Sequence, residues 1–271
     1  MKQRVYSHQL SIQHPEATLA FYQNSLNMSL LNKKESAKAT HYFLGYQSGT
    51  SRSQEAQLEL IDYKGKTRSP QSHPQAGYWK IAISVEDVDL ARADLIKKGI
   101  EVGFAKQVPD VAYLCHLNGP EGYCIELIQH RFQQNHSPLP DNTHPWEHAH
   151  FSLITYRVKD PQASLTFYQE SLGMRLLSRQ IIKPFGFTLY FLGYSDEPLP
   201  VDDIDAIENR EWLWQRPHTM IEFQHIWGTE QQDDFSYLTS PDTGFLGVVL
   251  HPANQANSAA VKDPDGYTLY R

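Results

Sequence analysis

The sequence has few of the features that mark secreted or membrane-spanning proteins. Only two cysteines occur among 271 residues, Cys115 and Cys124. They flank a turn signal and could face each other across a hairpin, but in a chain without a secretory signal we expect two reduced thiols. No apolar run approaches the roughly eighteen residues of a membrane span. We therefore expect a cytoplasmic protein with no membrane partner.

Basic residues are also scarce relative to acidic ones. The chain has 24 Lys and Arg against 31 Asp and Glu, a formal net charge of -7. This balance disfavours binding to nucleic acid or to an anionic membrane surface. A hydrophobic fraction of 40% with 12% aromatic residues is enough for two domains with packed cores. We expect a small-molecule ligand, and a monomer or homodimer.

The chain contains an internal duplication. Pro15 to Leu31 and Pro161 to Leu177 align without gaps and share eleven of seventeen residues. In each copy a proline suits the first position of a helix. Asp160 provides an N-cap for the second helix and Gly173 a C-cap. The two copies therefore specify the same structural unit.

The hydrophobic pattern predicts repeated units of one strand, one helix and three strands. In the first copy the predicted strands cover residues 8–12, 28–31, 41–46, 57–62, 79–85, 100–104, 111–117 and 123–129, with a second helix over 90–98. In the second copy the predicted strands cover 151–157, 175–181, 188–194, 220–224 and 245–250, followed by a strand pair within 261–270. Residues 252–260 replace a whole helix and strand, so the last module is truncated. The prediction is an α+β fold of tandem βαβββ modules.

This pattern divides the chain into two domains and a linker. Residues 1–132 form the first domain, 133–148 a Pro-containing polar linker, and 149–271 the second domain. Residues 195–218 form an insertion in which Glu211 to Trp214 is the only apolar part. We expect the missing fourth helix to expose an apolar face, which the Trp212 and Trp214 insertion or a partner subunit covers.

Several segments of the second copy resemble glyoxalase I, the lactoylglutathione lyase of the vicinal oxygen chelate superfamily. In chain order they are residues 156–161 (YRVKDP), 189–194 (LYFLGY), 225–230 (HIWGTE) and 263–267 (DPDGY). The resemblance implies curved sheets of paired modules around a metal-bearing cavity. It also implies a glutathione hemithioacetal of methylglyoxal as substrate, and zinc or nickel as cofactor.

The resemblance implies four metal ligands per cavity: His or Gln, then Glu, then His, then a Glu that doubles as base. In the first copy these positions fall on Ser7, Glu59, Lys80 and Glu126. Glu59 and Glu126 match, and Glu126 is the candidate base. His8 neighbours the first position and can serve as a ligand only if a bulge or register shift turns it inward.

The second copy keeps less of the pattern. The four positions fall on Leu153, Glu222, a site near Gly247, and Tyr270, so only Glu222 remains as a candidate metal ligand. If the halves pair as in dimer-like glyoxalases, one cavity gathers Leu153, Glu222, Lys80 and Glu126. Pairing within one copy would gather Ser7 or His8, Glu59, Lys80 and Glu126 instead.

Two substrate-binding residues follow from the same comparison. Arg157 matches an arginine that the family uses on a glutathione carboxylate. Lys80 places a positive charge where the metal charge would be, and could pair with the glutamates of its cavity. The alternative is that Lys80 extends along the strand to solvent, or that the glutamates face water on half-exposed strands.

Two function classes remain open at the level of sequence. The first is a lactoylglutathione-lyase-like carbon–sulfur lyase reaction at one surviving cavity. The second is a degenerate glyoxalase scaffold that binds a small ligand without turnover. An extradiol dioxygenase is disfavoured, because the two histidines that its iron requires are absent from the aligned positions.

Overall fold

The computed structural model describes residues 3–46, 55–65, 73, 75–140, 142–239, 243–250 and 260–271. Within these residues the strands are β1 (Ser7–Ile12), β2 (Ser29–Glu35), β3 (Ala39–Gly45), β4 (Gln57–Tyr63), β5 (Tyr78–Val85), β6 (Lys106–Val108), β7 (Ala112–Asn118), β8 (Cys124–Gln129), β9 (His150–Arg157), β10 (Arg175–Ile182), β11 (Phe187–Gly193), β12 (Met220–Ile226), β13 (Phe245–Val249), β14 (Ala260–Lys262) and β15 (Thr268–Tyr270). The helices are α1 (Pro15–Ala20), α2 (Val88–Lys97), α3 (Pro161–Thr166) and α4 (Glu208–Trp214). α1 and α3 each continue into a π-helical turn, Phe21–Ser25 and Phe167–Ser171.

The described strands form two curved sheets, and each sheet combines strands from both sequence copies. The eight-stranded sheet has the order β10-β11-β12-β9-β5-β8-β7-β6, and the seven-stranded sheet has the order β14-β15-β13-β1-β4-β3-β2. The copies join through the antiparallel pairs β5–β9 and β1–β13. Of the two pairings that the sequence left open, this is the one between copies. The architecture confirms the α+β prediction of tandem βαβββ modules.

The repeated helices show how the duplication acts on local structure. Asp160 caps α3, since its Oδ1 accepts hydrogen bonds from the backbone N–H of Gln162 at 2.8 Å and of Ala163 at 3.3 Å. In α1 the cap position is His14, which makes no capping bond. Glu121 instead fixes the two residues that precede the helix: its Oε1 accepts from the N–H of Gln13 and His14 at 3.0 and 2.8 Å. The carboxylate also suits the positive end of the helix dipole.

Three sequence predictions about elements differ from the structure. Residues 100–104 form no strand; Val102 makes one isolated bridge with Leu117, and the pairing with β7 resumes only at β6. The truncated segment 252–260 lies almost wholly outside the described residues. Cys115 and Cys124 are free thiols, as expected, but Cys115 pairs with Leu127 rather than facing Cys124.

The 195–218 insertion does not cover the seven-stranded sheet, so the prediction that Trp212 and Trp214 cover the exposed face was wrong. Cover by a partner subunit, the alternative, stays a prediction. Its helix α4 packs into the concave side of the eight-stranded sheet, where Leu213 and Trp214 are fully buried. Trp214 meets the ring of Phe191 edge-on at 5.3 Å, and its Nε1 donates to the carbonyl of Val111 at 3.1 Å. A concave surface removes most of the apolar area of large side chains from water, and this burial stabilises α4 in its position.

None of the described helices has the length and apolar character of a membrane span.

Candidate functional site

The first candidate site lies inside the eight-stranded sheet, where the two copies meet. Lys80 on β5 is opposite Thr155 on β9, and Thr155 is opposite Glu222 on β12. Glu126 on β8 is opposite Ala82 on β5, one inward position along from Lys80. Alternation along the strands therefore turns Lys80, Glu126 and Glu222 to the same inner face.

Lys80 bridges the two glutamates. Its ammonium lies 2.9 Å from Glu126 Oε1 and 2.9 Å from Glu222 Oε2. It also donates to Thr155 Oγ1 at 3.3 Å, and the Thr155 hydroxyl donates to Glu222. Lys80 is 1% exposed, so it does not extend to solvent. The ion-pair alternative from the sequence is the one that the structure adopts.

The electrostatics follow from this arrangement. Burial alone would lower the pKa of Lys80, but the two carboxylates outweigh it and raise that pKa. Burial would likewise raise the pKa of Glu126, yet the charge of Lys80 and the contact with His116 hold it at about 2. Lys80 and Glu126 therefore remain charged at neutral pH.

These side chains lie at one end of an apolar cavity of about 240 Å³, which we call the Lys80 cavity. Its walls come from both copies and from the insertion: Trp79, Lys106, Val108, Val111, Leu114, His116, Ile128, Leu153, Ile182, Phe185, Phe187, Leu189, Phe191 and Trp214, with Lys80, Glu126 and Glu222. Trp214 from α4 forms part of this wall. The cavity therefore joins the cluster of Lys80, Glu126 and Glu222 to an apolar chamber.

Two polar residues of this site escaped the sequence comparison. His116 on β7 pairs in register with Glu126, and its Nε2 lies 2.9 Å from Glu126 Oε2. Its ring stacks on Trp79 at an interplanar angle of 17°. The second of these polar residues is Thr155. The sequence could have indicated His116, because period-two alternation back from Glu126 across a hairpin places it on the same face of the sheet. No sequence pattern indicated Thr155.

Arg157 lies beside the Lys80 cavity but does not line it. Its Nε donates to Gln224 Oε1 at 2.9 Å and its Nη1 to the Ala76 carbonyl at 2.7 Å. Its guanidinium is 5.5 Å from the ring centroid of Trp79, a cavity residue. Arg157 is thus fixed by internal hydrogen bonds one side chain away from the chamber.

The second candidate site lies in the seven-stranded sheet around Glu59. Glu59 is 5% exposed and accepts three side-chain hydrogen bonds. They come from Ser7 Oγ at 2.8 Å, Gln9 Nε2 at 3.0 Å and His41 Nδ1 at 2.7 Å. Burial would raise the pKa of Glu59, but these donors lower it. Sequence reasoning found Glu59 and Ser7 but missed His41, which lies on β3, the neighbour of β4 on the side away from β1.

An open cavity of about 560 Å³ adjoins this cluster, and we call it the Glu59 cavity. It is lined by Arg4, Tyr6, Ser7, Gln9, Asn32, Lys34, Glu35, Ser36, His41, Phe43, Gln57, Glu59 and Val249. The third and fourth ligand positions contribute nothing to a metal here. A side chain at Gly247 would come within 2.9 Å of the Tyr270 ring and 2.6 Å of the Thr268 carbonyl, so Tyr270 packs over a glycine.

His8 does not reach the Glu59 cavity, which corrects the expectation that it binds metal. It is 0% exposed on the opposite face of β1, with Nε2 3.1 Å from the Tyr78 hydroxyl. The irregularity in the β1–β13 pairing falls between Gln9 and Leu10, after His8, and leaves it pointing into the core. Burial lowers the pKa of His8 to about 3, so its imidazole is neutral.

The donor sets do not fit the metal that the resemblance implies. In the Lys80 cavity the two carboxylates already hold an ammonium group, and the first ligand position is apolar Leu153. In the Glu59 cavity one carboxylate is saturated by three donors. Throughout the described ranges, no group of three His, Cys, Asp or Glu side chains is arranged to hold a metal ion. A cation bound between Glu126 and Glu222 would have to displace Lys80.

Comparison with known proteins agrees with the fold. Residues 7–127 match the family model of the Glyoxalase/Bleomycin resistance protein/Dioxygenase superfamily. A lactoylglutathione lyase of Pseudomonas aeruginosa is 33% identical over 141 residues, which cover 43% of this chain and 78% of that protein. The chain belongs to this superfamily.

Within the superfamily the protein is glyoxalase I-like. Glyoxalase I of Saccharomyces cerevisiae is 28% identical over 312 aligned positions, covering 96% of this chain and 89% of that protein. The crystal structure of glyoxalase I from Zea mays superposes with a TM-score of 0.71 at 21% identity, covering 99% of this chain and 91% of that one. At that identity the structural match shows the fold alone.

Proposed function

We propose that this glyoxalase I-like protein isomerises the hemithioacetal of methylglyoxal and a glutathione-type thiol in the Lys80 cavity, without a bound metal. The observation that carries the proposal is the Lys80 ammonium, 2.9 Å from both Glu126 and Glu222 at the place of the expected metal. It supplies a fixed positive charge beside a carboxylate. Proton transfer between adjacent carbons needs both groups.

In the proposed reaction Glu126 removes the proton from the hemithioacetal carbon, and the electron pair moves to the neighbouring carbonyl to give an enediolate. Lys80 and His116, both 2.9 Å from the Glu126 carboxylate, stabilise the oxygen that gains charge. Protonated Glu126 then returns the proton to the adjacent carbon. The hydroxyl proton of the former hemithioacetal carbon passes to the neighbouring oxygen, which leaves a carbonyl next to sulfur and yields the S-lactoyl thioester. A carboxylate base with cationic and imidazole electrophiles performs the same type of transfer in metal-free isomerases.

Glu126 must become more basic when substrate binds. Its pKa of about 2 reflects the full charge of Lys80 and the contact with His116. When Lys80 turns toward the substrate oxygen, that charge is shared and the pKa of Glu126 rises toward the range of a useful base. Glu222 stays hydrogen-bonded to the ammonium during this movement, and Thr155 bridges the two groups. Because Lys80 is paired with two carboxylates, Glu222 can hold the ammonium while Glu126 acts as the base.

The walls of the cavity suit one end of the substrate. Leu153, Phe191 and Trp214 offer an apolar surface to the methyl group, in a volume that fits a three-carbon unit. The thiol part would extend past Trp79 toward Arg157, whose guanidinium suits a peptide carboxylate. We therefore assign Lys80 and Arg157 to substrate binding and Glu126 to catalysis.

The experiment measures isomerisation of the methylglyoxal–glutathione hemithioacetal by protein that is treated with a chelator and verified to be metal-free. We expect turnover to persist, and to fall by about 10²- to 10⁴-fold in Glu126→Gln. Glu101→Gln, at an exposed carboxylate, is the matched control. Turnover that requires added metal, or that is equal in Glu126→Gln, would contradict the proposal.

A binding protein without turnover is the second candidate. The low pKa of Glu126 favours it, because a carboxylate locked to Lys80 is a weak base. In that case the metal-free protein gives no turnover, yet S-lactoylglutathione changes the fluorescence of the cavity residues Trp79 and Trp214 in a saturable way. Neither turnover nor saturable binding would remove both candidates from the Lys80 cavity.

A further inference from the structure

Gln180 on β10 is a buried polar side chain that the proposed reaction does not use. It is 1% exposed, and both its amide oxygen and its amide nitrogen are buried without a hydrogen-bond partner among the described residues. An amide in this state costs stability in the free protein, because it gives up hydrogen bonds to water and gains none. A bound molecule that hydrogen-bonds the amide would remove part of that cost.

A second buried glutamine shows how this protein holds an amide that is purely structural. Gln129 on β8 is also 1% exposed, but its amide oxygen accepts from the N–H of Val88 at 3.1 Å. Its amide nitrogen donates to the Arg131 carbonyl at 3.0 Å. In the part of the chain that the structure describes, no such bond holds the amide of Gln180 in place.

The strand register places Gln180 on the wall of the Lys80 cavity. It is opposite Leu189 on β11, and the next inward residue along β10 is Ile182; both of these side chains line the cavity. Residues that are opposite each other in an antiparallel pair point to the same face, so Gln180 points to the cavity side. Its amide is covered in the free protein, but rotation about the side-chain bonds can turn it toward the cavity without breaking a hydrogen bond.

Gln180 lies on the side of the cavity that carries Glu222. Glu222 is opposite Phe191 on β11, and Phe191 is opposite Ser178, the inward residue before Gln180 on β10. Two strand spacings and one step of two residues put the backbones of Gln180 and Glu222 about 12 Å apart. Both side chains extend over the same concave face, so a gap of only a few carbon atoms separates their ends. The substituent of a substrate held by the Lys80 cluster can span that gap.

The chemistry of an amide decides which substituent it suits. A primary amide has one acceptor oxygen and two N–H donors, and a hydroxyl group can donate to the first or accept from the second. A carboxylate can only accept, and an alkyl group can do neither. Gln180 therefore suits a neutral, hydroxyl-bearing substituent in a wall that is otherwise apolar.

We propose that Gln180 is a specificity-determining residue of the Lys80 cavity, which favours 2-oxoaldehyde units whose substituent carries a hydroxyl group. This preference rests on the proposed function, in which Lys80 and Glu126 hold the reacting end of the hemithioacetal. Methylglyoxal, whose substituent is a bare methyl group, is then a poorer substrate than a hydroxylated homologue.

The test compares the glutathione hemithioacetals of 3-hydroxy-2-oxopropanal and 2-oxobutanal. These two aldehydes have the same number of heavy atoms and differ by a hydroxyl in place of a methyl group. We expect the ratio of their kcat/KM values, hydroxylated over alkyl, to be about tenfold higher in the native protein than in Gln180→Met. Methionine keeps the length of the side chain without the amide, so its ratio corrects for the intrinsic reactivity of the aldehydes. Equal ratios in the two proteins would overturn the proposal.

The stability of the free protein provides a measurement that needs no turnover. Gln180→Met should raise the urea midpoint, because it removes an amide that has no partner, whereas the matched control Gln129→Met should lower it by breaking two hydrogen bonds. We expect changes of about fivefold or more, in opposite directions, in the equilibrium constant for unfolding. A Gln180→Met variant that is less stable than the native protein would show that the fold already hydrogen-bonds the amide, and would contradict the proposal.

Binding of the reaction products separates this proposal from the proposed isomerisation. S-glyceroylglutathione and S-(2-hydroxybutanoyl)glutathione carry the same two substituents, and the fluorescence of Trp79 and Trp214 can follow their titration. If the native protein gives no turnover but prefers the glyceroyl thioester about tenfold more than Gln180→Met does, the isomerisation fails and the role of Gln180 stands. Turnover with equal preferences in both proteins removes only the role of Gln180, and so does the absence of saturable binding.

Discussion

At the residue scale, the position of Lys80 determines the chemistry of its cavity. Its four-carbon side chain places an ammonium between two buried carboxylates, where one would look for a divalent cation. The cluster joins one lysine to two glutamates, and Thr155 and His116 add polar contacts. A charge network of this kind is stable only when all members are present.

Removing the ammonium should destabilise the fold. In Lys80→Met, Glu126 and Glu222 face each other while nearly fully buried, and we expect the free energy of unfolding to fall by about 3–5 kcal/mol. Urea denaturation measures it. Adding Glu126→Gln and Glu222→Gln to Lys80→Met should restore most of the loss. A single variant as stable as the native protein would show that the ion pairs are weak.

At the element scale, strand alternation separates two neighbouring residues of β1. Ser7 faces the Glu59 cavity and donates to Glu59, while His8 enters the aromatic core beside Tyr78 and Phe245. The sequence left both orientations open because a bulge would have exchanged them. The observed irregularity follows His8, so the exchange does not occur.

This placement predicts a pH dependence of stability. The pKa of His8 is about 3 in the folded protein against 6.5 when exposed, so the unfolded chain binds a proton that the folded chain does not. The contribution of His8 to the free energy of unfolding is fully present above pH 6.5 and is lost as the pH falls toward 3. Between pH 7.5 and 5 the contribution is about 2 kcal/mol.

The measurement compares urea midpoints at the two pH values. His8→Phe should lose less stability on acidification than the native protein, while His148→Phe, at an exposed side chain, should behave like it. Other buried histidines, such as His218, are present in all three proteins, so their effect on the pH dependence cancels in the comparison. An unchanged pH dependence in His8→Phe would mean that His8 is protonated in the fold.

At the scale of the whole molecule, each sheet is completed only by strands from both copies. β5 pairs with β9 and β1 with β13, so neither copy closes a sheet by itself. We expect residues 1–132 alone either to remain unfolded or to associate into dimers that imitate the missing half. Light scattering with urea denaturation decides this. A monomer that unfolds cooperatively near the native midpoint would contradict the expectation.

The sequence predicts most of the fold because the signals are local and repeated. Proline and Asp160 at the helix starts, alternation along the strands and the duplicated segment place nearly every element. The position of α4 could not be predicted, since Trp212 and Trp214 indicate burial without saying against which sheet. The 100–104 strand was wrong because apolar residues there pack only at single positions, and Phe104 is 89% exposed.

The candidate sites, like the fold, could be predicted from the sequence only in part. Glu59, Glu126, Glu222 and Lys80 were found at aligned strand positions. His41 and His116 were missed because they lie on neighbouring strands that carry no ligand position in the compared family. Their roles depend on cross-strand register, which a single sequence does not give. The ion pair itself was one of two alternatives until the burial of Lys80 decided between them.

The most direct test of the central claim, that Lys80 occupies the place of a metal, is a nickel titration by calorimetry of the native protein and of Lys80→His. The native protein should bind no stoichiometric nickel in this cavity. The introduced imidazole should bind one equivalent with Glu126 and Glu222, a set of three protein ligands that leaves an open position. One equivalent bound tightly by the native protein and lost in Glu222→Gln would contradict the account.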